Sequence, residues 1–119
     1  MKISQSVIAA FILFFASIGF VHAEQDRILG SWEMAYDPDG DTKDILTFQK
    51  GGAFSTTEVS SGKKLDGFFV VSGNVVKVSI LHKGMIAAKM ELQYDDKSDS
   101  LNYKSDQTKN VSTYKRIKK

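Results

Sequence analysis

Carboxylates at alternating positions in a short loop are how small calcium sites array oxygen ligands around a hard cation. The segment Asp37-Pro38-Asp39-Gly40-Asp41-Thr42-Lys43-Asp44 has that spacing. A standard loop of this kind carries Gly at its sixth position and Glu at its twelfth, and counted from Asp37 these are Thr42 and Phe48. Asp-Pro and Asp-Gly are also the punctuation of a hairpin turn. The turn is the reading adopted, and no metal is assigned. His82 lies in a His82-Lys83-Gly84 turn in a chain without cysteine. The other histidine, His22, falls in the leader described below, so His82 has no second histidine to share a metal and no motif around it to activate a Ser or Thr nucleophile. Neither an enzyme nor a cofactor is expected. Thr56 and Glu58 continue the alternation of Phe54 and therefore aim to the same side. A buried carboxylate is costly unless paired. Glu58 is thus either a polar anchor for a ligand head group, opposed by Lys63 or Lys64, or a rim residue reaching water where the strand bulges. The Asn110-Val111-Ser112 sequon has meaning only in a eukaryotic secretory pathway and is read as chance.

The elements that position these residues begin after a leader. Met1 and Lys2 supply a positive start, Val7 to Phe20 an apolar stretch of 14 residues, and Val21-His22-Ala23 a small-residue end. Residues 1–23 are read as a secretory signal peptide cleaved after Ala23, and residues 24–119 as one domain. The stretch is shorter than the roughly 18 residues of a membrane-spanning helix, so no stable membrane insertion is expected after processing. Without cysteine, a lipid anchor at the processing site, a disulfide and a thiolate metal site are all excluded. Removal of Lys2 leaves 15 basic against 14 acidic side chains, four of the basic ones in the last five residues (Lys115, Arg116, Lys118, Lys119). That balance gives no basic face for a nucleic acid. The tail is read as a solvated end.

Short β-like runs then recur, separated by Gly, Asn, Asp and Ser, which is the spacing of a sandwich or barrel. The runs are placed at Gly30–Tyr36, Asp44–Gln49, Ala53–Ser60, Leu65–Val71, Val75–Leu81, Met85–Tyr94, Leu101–Lys104 and Val111–Ile117, with one helical turn over Glu24–Leu29. Short Gly-containing connections make it a meander. Period two collects Trp32, Met34, Tyr36, Leu46, Phe48, Phe54, Phe68, Val70, Val76, Val78, Ile80, Ile86, Ala88, Met90, Leu92 and Tyr94 on one face. Ile45, Phe69, Val71, Val75, Leu81 and Met85 fall on the outer one. An apolar face of this size is hidden, and its edges removed, by closing an all-β, eight-stranded antiparallel up-and-down barrel.

Gly30-Ser31-Trp32 resembles the Gly-x-Trp signature of lipocalins and the wider calycin group, and Leu29-Gly30-Ser31-Trp32, Leu46-Thr47-Phe48 and Lys50-Gly51-Gly52 together resemble small bacterial lipocalin-like proteins. The resemblance implies that Gly30, Trp32 and Arg116 close one barrel end, with the arginine lying across the indole ring. The chain is shorter than a full lipocalin and lacks that group's disulfides, so a compact, mostly filled barrel is expected rather than a deep cup. Two functions follow. One is a periplasmic or secreted, non-enzymatic barrel that binds a small apolar or amphipathic molecule inside or at its open end, through Tyr36, Phe54, Thr56, Glu58, Phe68, Met90 and Tyr103. The other is a protein-binding module, an inhibitor or immunity protein, using the Phe69, Val71, Val75 wall and the acidic Asp37–Asp44 loop. The same wall leaves a homodimer open.

Overall fold

Gly residues at the chain reversals let the strands turn tightly: Gly51, Gly73 and Gly84 adopt φ of 93°, 62° and 76°, a region that side chains with a Cβ disfavour. In the computed structural model, which describes residues 25–118, these reversals join eight strands. They are β1 (Gly30–Tyr36), β2 (Asp44–Gln49), β3 (Ala53–Glu58), β4 (Lys64–Ser72), β5 (Val75–His82), β6 (Met85–Asp95), β7 (Ser100–Lys104) and β8 (Val111–Arg116). Each pairs antiparallel with the next, and β1 pairs with β8, so the sheet closes into the expected up-and-down barrel. The leader reading falls on residues 1–23, outside the described residues.

The inward positions fill the barrel. Trp32, Leu46, Phe48, Phe54, Phe69, Val71, Val76, Val78, Leu92, Leu101 and Tyr114 are all buried. Phe48 sits at the centre, 5.1 Å from the Phe54 ring and 5.0 Å edge-on from Phe69. Ile28, in the turn before β1, is fully buried and plugs one end.

Four inward assignments are corrected. Phe68 and Val70 point outward, 42% and 53% exposed, whereas Phe69 and Val71 are 2% exposed. The run Phe68-Phe69-Val70-Val71 is apolar on both faces and carries no phase. The exposed Lys64 and Asp66 on either side of half-buried Leu65 set it. The expected Phe69, Val71, Val75 wall therefore does not exist, and the outward apolar residues on β4 are Phe68 and Val70. Tyr36 is 61% exposed because β1 slips register: Met34 stands opposite inward Tyr114, but Tyr36 stands opposite Thr113. A second slip puts Ile86 opposite Leu81 instead of an inward residue, and Ile86 is 51% exposed. A single extra residue turns every later side chain to the other face.

Candidate functional site

The two barrel ends differ. At the end where β1 begins and β8 finishes, the Arg116 guanidinium carbon lies 4.3 Å from the centroid of the Trp32 ring. The same group donates to both Asp99 oxygens (2.9 and 3.1 Å) and to the carbonyls of Leu29 (2.6 Å) and Arg27 (2.5 Å). Trp32 Nε1 donates to Ile28 O at 2.9 Å. Hydrogen bonds from Arg116 hold the Asp99 carboxyl below its ordinary range, against partial desolvation. This end is a latch, with its donors and acceptors turned on one another.

The opposite end carries the β1–β2, β3–β4, β5–β6 and β7–β8 loops. Asp37, Asp39 and Asp41 place carboxylate oxygens within 4.8 Å of one another, yet two of the three hold loops together. Asp37 accepts from the Asp39 and Asp41 amides (3.1 and 2.5 Å) and from Ser112 Oγ (3.0 Å). Desolvation raises its pKa, but these hydrogen bonds outweigh it and leave the carboxyl below its ordinary value. Asp39 accepts from Thr108 Oγ1 and Asn110 Nδ2, both at 2.8 Å, which ties the β1–β2 loop to the β7–β8 loop. The Asn110 amide of the sequon is thus engaged. His82 stands exposed at the β5 end, with its Cα opposite Met85.

A residue that the sequence places where the acidic loop meets β2 lies inside the mouth. Asp44 begins β2 with the parity of buried Leu46 and Phe48, and that parity was the available signal. Its Oδ1 accepts from Tyr114 Oη (2.9 Å) and its Oδ2 from Thr56 Oγ1 (3.1 Å). Burial raises the Asp44 carboxyl above its usual range despite both hydrogen bonds. Burial and the neighbouring carboxylate also push the Tyr114 phenol well above the ordinary tyrosine value.

The consequence for stability has a definite sign. A carboxyl whose pKa is raised on folding binds its proton more tightly in the native state. Its contribution therefore grows as pH falls through the folded pKa and levels off below the unfolded value of about 3.9. Asp99, with its lowered pKa, runs the other way, contributing above the unfolded value and losing that contribution as pH falls through its own folded value. The melting midpoint of the unmodified chain is expected to gain a contribution from Asp44 between neutral and weakly acidic pH, and Asp44→Asn is expected to remove it. Parallel pH profiles for the two proteins would exclude Asp44 as the source.

An open cleft lies on the side wall. β6 and β7 are joined by three Cα pairs, Gln93 with Asn102, Tyr94 with Leu101 and Asp95 with Ser100. Toward the mouth they part, and a cleft of about 880 Å³ occupies the gap. Because the cleft passes through the sheet, both faces contribute to its lining. Inward-facing Val78, Met90 and Tyr103 meet outward-facing Lys77, Lys89 and Lys104, with Lys109 from the β7–β8 loop. Glu91 and Asp106 are the acidic residues of the lining. The volume is within the usual range for small-molecule sites, roughly 300–1,000 Å³.

The seven contacts named from the sequence are thereby dispersed. Met90 and Tyr103 line the cleft. Thr56 is bonded to Asp44, and Glu58 stands across from Asp44 at the rim, where it accepts from Ser60 Oγ at 3.1 Å. Lys64 lies 3.8 Å from Asp66 instead of opposing Glu58. Phe54 is wholly within the core, and Tyr36 and Phe68 face outward. Comparison with protein-family models, with curated proteins and with solved structures finds no match for this chain.

Proposed function

We propose that this chain is an exported, non-enzymatic binding protein that holds an amphipathic, anionic ligand in the cleft between β6 and β7. The carrying observation is the parting of the two strands beyond Gln93 and Asn102, which opens about 880 Å³ in the wall of a barrel whose core is packed with buried aromatic and aliphatic side chains. The ligand's apolar part rests on Val78, Met90 and Tyr103, and four lysines against two carboxylates favour negative charge on its polar part. Burying the apolar part contributes about 25 cal/mol per Å² removed from water, less the cost of ordering. A non-enzymatic role is supported by the use of reactive side chains as structural ties, with Asp37 joining the β1–β2 loop to β8, Asp39 joining it to the β7–β8 loop, and Asp44 clasped by Tyr114 and Thr56.

The test is thermal melting of the mature chain with medium-chain fatty acids held below their micelle concentration. A ligand bound only by the native state, at 100 times its Kd, adds about 2.7 kcal/mol. The midpoint is expected to rise, and Lys89→Glu with Lys104→Glu, both at exposed positions, should reduce that rise without changing the midpoint of the free protein. Cooperative melting with no rise for any anionic amphiphile or acidic peptide would refute the reading.

A further inference from the structure

We infer that the occupant of the cleft is an extended peptide segment of a partner protein, added to β6 as an extra strand and alternating acidic with apolar residues. The inference rests on the cleft being the binding site and names the chemistry of what enters it.

The strand edges argue first. Residues 85–92 of β6, except Ala87 at the register slip, have Cα partners on β5, and none of the eight has a partner on β7. Tyr103 and Lys104 of β7 likewise have partners on β8 alone. The slip interrupts the β6 ladder near Ala87, so the regular free edge runs from Ala88 to Leu92. Such an edge offers backbone N–H and C=O groups at strand spacing, a template that a peptide backbone matches and an acyl chain does not. Natural barrels abolish edges by pairing them, and here pairing stops inside a cleft.

The lining then specifies the side chains. A strand continuing the sheet from β6 would send alternate residues to the two faces. On the inner face its neighbours are Met90, Val78 and Tyr103, which select apolar residues. On the outer face they are Lys89 and Glu91 on β6 and Lys104 on β7, with Lys77 of β5 behind Glu91, a surplus of lysine that selects acidic residues. Specificity is thus a pattern rather than a composition, because the same residues in blocks would place carboxylates against Met90.

The experiment uses the mature chain and four labelled synthetic peptides read by fluorescence anisotropy. The first alternates glutamate with valine, the second has the same composition in two blocks, and the third and fourth are the first with alternate backbone amides N-methylated in one phase and in the other. Tighter binding of the alternating peptide by roughly tenfold or more, lost on methylation in one phase and weakened by Lys89→Glu, is the expected result. Equal binding of alternating and blocked peptides, or indifference to methylation in both phases, would overturn the inference by reducing recognition to charge. If a fatty acid raises the melting midpoint while no peptide binds, strand addition is overturned and the cleft stands as a small-molecule site. Failure of both sets removes the cleft itself.

Discussion

Arg116→Ala is expected to lower the unfolding free energy by about 2–4 kcal/mol, because it unties several elements at once. The guanidinium bonds Asp99 on the β6–β7 connection and the carbonyls of Leu29 and Arg27 ahead of β1, while covering the Trp32 ring. Its truncation leaves those acceptors to find other partners and opens the fully buried indole and Ile28 to water. For a domain of this size, about 1 kcal/mol moves the midpoint by roughly 4–8 °C, so a fall of more than about 10 °C is the result to look for in calorimetry. Arg116→Lys keeps the charge but not the planar fork, and should recover only part of the loss. A fall of a degree or two for the alanine variant would show that the barrel holds its end closed without the latch.

What the residue pattern discloses and what it conceals divide along physical lines. Strand positions were legible because turn residues and period two are local properties; Gly30–Tyr36 and Asp44–Gln49 begin and end where the sequence places them. Closure of β1 on β8 was legible as the economical way to hide one apolar face. The phase of β4 was not read, since four successive apolar residues satisfy either face, although Lys64 and Asp66 held the answer. Tyr36 and Ile86 were illegible in principle, because a register slip is decided by how the sheet coils and leaves no fixed residue signature. The cleft was hidden for the same reason. Nothing in Met90 or Tyr103 states that β6 and β7 stop pairing between them. Where that pairing stops is a property of the closed barrel, and it moves the candidate site from the interior to the wall.

The tightest constraint on that geometry is a residue with no side chain. Gly67 on β4 stands opposite Phe54 on β3 and Ile80 on β5, and a Cβ added there would overlap the Ser79 carbonyl oxygen and come within 3.0 Å of its carbon and 3.1 Å of the Ile80 Cα. All three obstacles are backbone, so no rotamer change can make room and the two strands themselves must separate. Gly67→Ala is therefore expected to cost about 3 kcal/mol or more, the range of an overpacked interior with its ladder disturbed. Gly51→Ala is the informative contrast. Its φ of 93° makes an added Cβ strained, but no atom lies within 4 Å of it, so the cost is conformational alone, about 1–2 kcal/mol. Urea unfolding of both variants separates the two causes, with a clearly larger fall in midpoint at position 67. Equal falls would mean that β4 and β5 part cheaply. Because β5 carries β6, parting of β4 from β5 in Gly67→Ala should also weaken occupancy of the cleft beyond the loss of stability. Gly51→Ala, in the turn between β2 and β3, should leave occupancy unchanged.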